Sequence, residues 1–593
     1  MKKSEWNEGL NYIDSDLVEK YVMQKESYAK KCRTRGIWLR ACAIAACLAI
    51  VICSLTLAPM LFNGDNSIDG TNSDNGFDGG GMNGEMDGGN SNTIGKVTNE
   101  YNCETYTSVI PVDDLDFEGD TITVLHRDSV SFQREWYKKI PEDNLDEVIS
   151  MRNEMVSESL NMKVRYEAIS GSTYADCLNG FTAAIKEDVD YDFHKYDVVA
   201  NHAYASASAF IRDYISNLAD KDVFPYFELS LPCWNQSLVN DSLINDQLYY
   251  ITGDLNLSTF DKTMVVFLNK KMYNEKKSAD DPNDLQSLAL EGYDAKNKIG
   301  KAGGFTYDDL YRWATVWEDN NGTSGNQHDD FHAISAPYGS MPIDALPFAW
   351  ELDYIRYNQD GTHKYNIVGN TKIQEAVVKA QKLFNSALND GVSNANNGGE
   401  CSLGDCSEPI AHFAADKSIF AFGLLYGSEA DNAAIREMSS EYGLLPMPKY
   451  NADQERYVTT ADSDYTLITV INHVNSSVPT KVEMVSAYLQ YSAEESYTNI
   501  RSYYIDSVIA PKGKESSSTE MSVAIFNIIA DNIELPFAYV YAPQLNYVLN
   551  NCWRDVVTDS HISGATTAKD AYEAESDKYD AALENIDTWL GLN

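Results

Sequence analysis

Basic residues are scarce in this sequence, which has 46 Lys and Arg against 89 Asp and Glu and a formal net charge of −43. The deficit lies beyond the first 62 residues, because those carry nine basic and six acidic side chains. A surface this acidic repels phosphate backbones, so no nucleic-acid partner is expected. The acidity instead fits an exported protein that its charge keeps soluble.

The sequence also lacks the short motifs of common catalytic and cofactor sites. It contains no G-x-S-x-G, P-loop or H-E-x-x-H sequence, and its nine histidines show no metal-ligand spacing. The stretch HRDSVSFQ at 126–133 resembles a kinase catalytic loop, but Gln133 stands where that loop needs asparagine. No enzyme activity, cofactor, metal or catalytic residue is therefore expected, although a glycosidase pair of carboxylates stays open among so many acids.

One long apolar run dominates the amino-terminal region. Residues 41–62 form an uncharged run that is long enough for a membrane-spanning helix. Five basic residues lie within the dozen positions before it. This asymmetry predicts a cytoplasmic segment at 1–36, a transmembrane helix at 37–62 and an extracellular remainder anchored in the cell membrane. A cleaved signal peptide and a lipoprotein signal ending at Cys47 are the alternatives, but about 36 mostly polar residues come first.

A change of composition follows the apolar run. Gly, Asn, Asp and Ser make up 25 of the 33 residues at 63–95, and such composition behaves as a coil. We expect a flexible linker over 63–117. Beyond it, strand-like runs such as DTITVLH and KTMVVFLN alternate with helical patterns, which indicates an α/β fold.

Several segments of the outer region occur in an order that is typical of one family. They include YDVVANHAY, KTMVVFLNKKMYNE, TYDDLYRWA, HFAADKSIFAFGLLYGSEA and EYGLLPMP. From about 119 to 592 the sequence resembles the extracellular solute-binding proteins of bacterial ABC importers, family 1, the sugar-binding branch related to maltose-binding protein.

This resemblance implies a two-lobed α/β fold of the periplasmic-binding-protein type with hinge crossings. The solute-binding domain would span 118–593. Lobe 1 would comprise about 118–253 and 424–475, and lobe 2 about 254–423 and the C-terminal helices. The implied function is capture of a carbohydrate-type solute, expected to be an oligosaccharide, and its delivery to an ABC importer permease. An extracellular glycan-acting enzyme, or a sensor or adhesion module signalling through the cytoplasmic segment, remain alternatives.

Candidate ligand-binding residues follow from sugar chemistry. A sugar offers apolar C–H faces and a rim of hydroxyls, which suit aromatic rings beside carboxylates, amides or histidines. In α/β sheets such side chains lie just after strands, and the resemblance aligns two tyrosines with stacking aromatics of the family. For the two tryptophans, packing in the core is the alternative. The expected ligand-binding residues are His126, Arg127, Asn201, His202, Trp234, Asp254, Tyr338, Trp350 and Tyr426.

Overall fold

A computed structural model describes ten stretches of the chain, all within the compact unit Asn92–Asn593. They are residues 108–207, 213–278, 284–316, 332–336, 342–384, 407–426, 429–475, 479–509, 516–559 and 563–592. Among these residues no helix is both long and apolar enough to cross a membrane. The predicted transmembrane helix at 37–62 lies outside them.

The strands of the described residues form two four-stranded sheets and two short hairpins. In chain order they are β1 (Thr121–Arg127), β2 (Lys163–Ile169), β3 (Val198–His202), β4 (Met264–Asn269), β5 (Tyr293–Asp294), β6 (Ile299–Gly300), β7 (His332–Ser335), β8 (Ile355–Tyr357), β9 (His363–Tyr365), β10 (Ser418–Leu424), β11 (Tyr442–Leu445) and β12 (Thr466–Val470).

Helices surround these sheets. They are α1 (Val130–Trp136), α2 (Asn144–Ser159), α3 (Tyr174–Asp190), α4 (Ala203–Ser206), α5 (Gln236–Ser242), α6 (Ser258–Asp261), α7 (Lys270–Lys276), α8 (Leu285–Glu291), α9 (Tyr307–Val316), α10 (Leu346–Ala349), α11 (Thr371–Phe384), α12 (Ser407–Ala414), α13 (Glu429–Glu437), α14 (Pro479–Glu495), α15 (Arg501–Tyr504), α16 (Ser516–Ala530), α17 (Phe537–Val540), α18 (Asp555–Val557), α19 (Ala568–Ala574) and α20 (Ser576–Trp589). Short 3-10 or π turns occur at Val112–Asp114, Ile343–Ala345, Asn472–Asn475, Ser496–Ile500, Ile505–Ile509 and Asn550–Arg554.

The two four-stranded sheets confirm the expected two-lobed α/β architecture. The first has the order β12-β3-β1-β2, with β1 parallel to β2 and β3, and β12 antiparallel to β3. The second has the order β11-β4-β10-β7, with β4 antiparallel to both neighbours and β10 parallel to β7. Strands β3 and β4 are buried along their whole length, as nearly continuous apolar runs covered on both faces should be.

Polar caps fix where several helices begin. Asp143 accepts a hydrogen bond from the backbone of Asp146 at the start of α2, and Thr173 caps α3 in the same way through Asp176. Such caps satisfy backbone donors that the first helical turn leaves free, and each is worth about 1 kcal/mol. The cap at Thr173 matters for the site below, because Tyr174 is the first residue of α3.

The structure corrects three expected boundaries. Residues 108–117, predicted as the end of the flexible linker, belong to the fold, because Ile110 and Phe117 are buried in the core beneath the first sheet. Strand β11, which the sequence assigned to lobe 1, pairs with β4 in the second sheet. Helix α14, assigned to lobe 2 with the C-terminal helices, packs instead on β1 and α2 of the first lobe.

Segments that pass between the sheets run side by side. Thr263 and Ala461 form an isolated antiparallel bridge, and the Asp462 amide donates to the Lys262 carbonyl at 2.7 Å. The Tyr426 amide donates to the Asp261 carbonyl at 3.0 Å from the other side. Three stretches of chain therefore meet at 261–264, between the carboxyl end of β10 and the amino end of β12.

Candidate ligand-binding site

A cluster of charged side chains lies where the two sheets meet. Arg127, the last residue of β1, donates from Nη1 to Asp464 Oδ1 at 2.7 Å, and Lys262 Nζ lies 3.3 Å from Asp464 Oδ2. The Arg127 side chain is 1% exposed, whereas 36% of the Asp464 side chain is exposed. The carboxylate therefore holds two basic groups and still presents a surface to solvent.

His202, the last residue of β3, completes this cluster. Its Nδ1 accepts a hydrogen bond from the Tyr204 amide at 3.2 Å, and its Nε2 lies 3.8 Å from Asp464 Oδ1. Burial lowers the pKa of His202 to about 4, and the nearby Asp464 carboxylate does not offset it. At neutral pH the imidazole is therefore uncharged, with its proton on the nitrogen that faces Asp464.

The charge of Asp464 is stabilised by its neighbours. Partial burial would raise the pKa of the carboxyl, but the positive charges of Arg127 and Lys262 outweigh it and hold that pKa below the ordinary value. Arg127 also donates to the Asp464 carbonyl at 2.9 Å and to Thr466 Oγ1 at 2.8 Å. Behind them, Thr466 Oγ1 donates to the buried Glu135 carboxylate at 2.7 Å. These contacts fix the Arg127 guanidinium in one orientation.

Aromatic side chains from both halves of the fold lie next to the charged cluster. The rings of Tyr174 and His202 are 5.4 Å apart, and Tyr204 lies 5.6 Å from Tyr539 and 6.4 Å from Tyr547 in edge-to-face contacts. Tyr174 and Tyr204 are half-buried, and Tyr547 is 38% exposed. We call these four tyrosines with Arg127, His202, Lys262 and Asp464 the interlobe site.

Backbone conformation at one edge of the interlobe site is unusual. Asn546 and Tyr547 have φ angles of 53° and 55°, in the left-handed region that residues other than glycine rarely adopt. Consecutive residues of this kind persist only where surrounding contacts impose them, and they are more common near functional sites. They set the direction in which the Tyr547 ring leaves the chain.

Of the nine predicted ligand-binding residues, the structure brings Arg127 and His202 together. Tyr426 is half-buried beside the site, since its amide bonds to the residue before Lys262, and its ring lies 5.8 Å from the Arg134 guanidinium. Tyr338 lies outside the described residues, so its role stays a prediction.

The structure places both predicted tryptophans in hydrophobic cores, which corrects their assignment to the ligand site. Trp234 is buried against Phe227, and its Nε1 donates to Gln490 at 2.9 Å. Trp350 is completely buried, with edge-to-face contacts to Tyr307, Tyr450 and Trp553. An aromatic residue next to a turn occurs both in ligand-binding sites and in hydrophobic cores. Here core packing accounts for Trp234 and for Trp350.

Three further predicted residues are engaged elsewhere. Asp254 accepts two hydrogen bonds from the buried Arg501 guanidinium, at 2.7 and 2.9 Å. His126 is buried and its ring lies 6.3 Å from that of Tyr166 on β2. Asn201 is buried within β3 and donates to the Cys177 carbonyl at 3.3 Å. In this conformation none of the three is presented to a ligand.

Sequence reasoning missed most of the interlobe site. Asp464 lies just before β12, and β12 runs antiparallel to β3, so its amino end meets the carboxyl ends of β1 and β3. A search confined to residues after strands cannot find it. Tyr204 was within reach, because it follows His202 by two residues. Tyr539 and Tyr547 come from the C-terminal region, where the sequence carried no local signal.

The described residues contain no group of three or more His, Cys, Asp or Glu side chains arranged to hold a metal ion. The interlobe site itself offers carboxylate, guanidinium, ammonium, imidazole and phenol groups. Such a set can hydrogen-bond hydroxyl groups and pack rings against apolar faces.

These features define a two-lobed α/β protein with a polar, aromatic-rich site between its lobes. No protein-family model and no curated protein matches the chain. Solved structures to which it is similar include the maltose-bound MalE3 of T. maritima, with 14% identity over 78% of this chain and 100% of that chain at a TM-score of 0.44.

Two other solved structures are similar to this chain to the same degree. The periplasmic maltose-binding protein MalE of Listeria monocytogenes, in complex with maltose, is 13% identical over 79% of this chain and 98% of that chain, with a TM-score of 0.44. An ABC transporter solute-binding protein of Thermotoga lettingae, bound with α-D-tagatose, is 13% identical over 78% and 100% of the two chains, with a TM-score of 0.45.

Proposed function

We propose that this chain is an extracellular solute-binding protein, tethered to the membrane by residues 37–62, that captures a carbohydrate in the interlobe site and delivers it to an ABC importer. The observation that carries the proposal is the composition of the interlobe site. The rings of Tyr174 and Tyr204 lie 5.4 and 6.0 Å from that of His202, and His202 Nε2 lies 3.8 Å from the partly exposed Asp464 carboxylate. A polyhydroxylated ligand needs both kinds of group.

The contacts between the crossing segments support a binding role. Ligand held between two lobes stabilises the arrangement in which both lobes touch it, and short crossing segments permit such closure as a hinge motion. The segment at 261–264 carries Lys262 and lies against both 424–426 and 460–462. Closure would therefore move site residues and crossing segments together.

A glycan screen tests the proposal. The full-length protein, in a detergent without a sugar headgroup, is heated with panels of mono- and oligosaccharides while its unfolding is followed. A ligand that binds only the folded state raises the melting temperature. We expect at least one sugar to do so without being consumed. Rapid turnover of that sugar would instead favour the glycan-acting enzyme, and no response across the panels would contradict carbohydrate capture.

The importer half of the proposal needs its own test. Cross-linking on intact cells, followed by affinity purification of the full-length chain, should recover a multi-spanning permease. Recovery of the same permease after deletion of residues 1–36 would favour transport over signalling through the cytoplasmic segment.

A further inference from the structure

The interlobe site is nearly balanced in charge although the chain as a whole is strongly acidic. Asp464 shares its two carboxylate oxygens between Arg127 and Lys262. Asp462 adds a second carboxylate nearby, where its Oδ1 accepts the Asp464 amide at 3.3 Å. His202 is uncharged at neutral pH, since its pKa is about 4. Asp464 and Asp462 thus match the charges of Arg127 and Lys262 within the site, and the buried Glu135 carboxylate lies behind them at Thr466, in a protein of net charge −43.

Charged residues around this cluster are paired as well. Arg554 donates from Nε to Asp344 Oδ1 at 2.8 Å, and its second nitrogen contacts the other carboxylate oxygen. Arg134 has its Nε 3.8 Å from the Asp146 carboxylate. Basic groups that border the interlobe site are therefore already matched by carboxylates of the chain.

A charged ligand would disturb this balance. A ligand carboxylate near Arg127 or Lys262 would have to displace Asp464 or lie beside it, and like charges at such distances repel. A ligand ammonium would compete with the same two basic groups for Asp464. Hydroxyl groups, in contrast, donate to the exposed part of the Asp464 carboxylate without adding charge.

We infer that Asp464 is the internal counter-ion of the interlobe site and that it restricts the ligand to uncharged polyhydroxylated molecules, against sugar acids and amino sugars. This inference rests on the proposed function and adds the charge class of the ligand. Asp464 acts as a specificity-determining residue because it neutralises Arg127 and Lys262 while its exposed part faces the ligand.

Calorimetric titration of the full-length protein tests the inference with matched probes. The probes are malto-, cello- and xylo-oligosaccharides, their counterparts oxidised to uronic acids, and counterparts that carry a 2-amino group. Wild-type protein should bind a neutral member at least about tenfold more tightly than its acidic and basic counterparts. Tighter binding of a uronate or an amino sugar would overturn the inference and leave carbohydrate capture standing. No binding by any probe would overturn both.

Two variants should move this preference in opposite directions. Asp464→Asn keeps an oxygen acceptor for Arg127 but leaves one uncompensated positive charge, so the affinity for the acidic counterpart should rise about tenfold relative to the neutral probe. Lys262→Gln leaves one uncompensated negative charge and should favour the amino counterpart by a similar factor.

A merely structural role would lower the affinity for all three probes alike, and that outcome, or an unchanged ranking in both variants, contradicts the inference. Because Asp464→Asn removes the negative charge that faces the buried Arg127, melting curves of both variants are recorded first. If that variant fails to fold, Lys262→Gln alone decides, since the Lys262 side chain is 15% exposed and its removal leaves Arg127 paired with Asp464.

Discussion

At the scale of single residues, Asp464 organises the interlobe site. Its carboxylate contacts Arg127 and Lys262, and His202 approaches it from β3. The tyrosines add ring surface but little charge. We therefore expect the charged residues to determine whether a charged or an uncharged ligand binds, and the aromatic residues to contribute most of the affinity.

The affinity contribution of the rings can be measured at Tyr174. Its ring is half-buried beside His202, so Tyr174→Ala should weaken binding of the best sugar by about 1–3 kcal/mol and change the melting temperature little. Tyr191 is the matched control, because it lies at the other end of α3, is 70% exposed and stacks on the exposed Phe193. Tyr191→Ala should leave both quantities unchanged, and equal losses in both variants would argue against a ligand contact at Tyr174.

Burial of the His202 imidazole should make the stability of the fold depend on pH. Its folded-state pKa of about 4 lies below the ordinary 6.5, so the unfolded chain takes up the proton first as the pH falls. Stability is therefore lost between about pH 6.5 and 4. His202→Asn keeps an acceptor for the Tyr204 amide and removes the titration.

Denaturation curves at pH 7.5 and 4.5 compare that variant with wild type. The stability of wild type relative to His202→Asn should fall by about 2 kcal/mol over this range. A difference that is independent of pH would show that burial does not lower the pKa of His202 in this way.

At the scale of elements, buried ion pairs hold the crossing segments to the helices. Asp254 lies in the turn that precedes α6, and its partner Arg501 begins α15, so the pair ties the segment before α6 to the helices that follow α14. Removing one member of a buried pair costs up to about 3–5 kcal/mol where the remaining charge has no other partner. Asp531 Oδ1 lies 3.6 Å from Arg501 Nη1 and retains part of the compensation here.

Asp254→Asn should therefore lower the free energy of unfolding by an amount of that order. Because Asp254 is fully engaged with Arg501, sugar affinity measured well below the melting temperature should stay within about twofold of wild type. Adding Arg501→Gln to the variant should restore part of the stability. A large loss of affinity without a loss of stability would instead indicate that Asp254 contacts the ligand.

Elements were also the scale at which the sequence was most informative. The short apolar run KTMVVFLN identified the buried strand β4, and the alternation of such runs with helical patterns identified the α/β class. The sequence could not assign β11 to its sheet, because β11 pairs with β4 and more than 150 residues separate the two strands along the chain. Likewise, only the folded chain brings Tyr539 next to Tyr204.

At the scale of the whole molecule, the expected tether determines where the protein works. The uncharged run at 41–62 with basic residues before it predicts that everything after residue 62 lies outside the cell. Protease added to intact protoplasts should release a soluble fragment that contains the outer unit, and lysed cells serve as the control. Full-length protein left intact, or a mature amino terminus at a lipid-bearing Cys47, would contradict a spanning anchor.

The central claim is that a sugar binds between the lobes, and a crystal structure of the protein with the tightest ligand from the glycan screen tests it most directly. The account predicts a sugar whose hydroxyls contact Asp464 and whose apolar face lies against Tyr174 or Tyr204. A sugar bound away from these residues, with the interlobe site unchanged, would contradict the account.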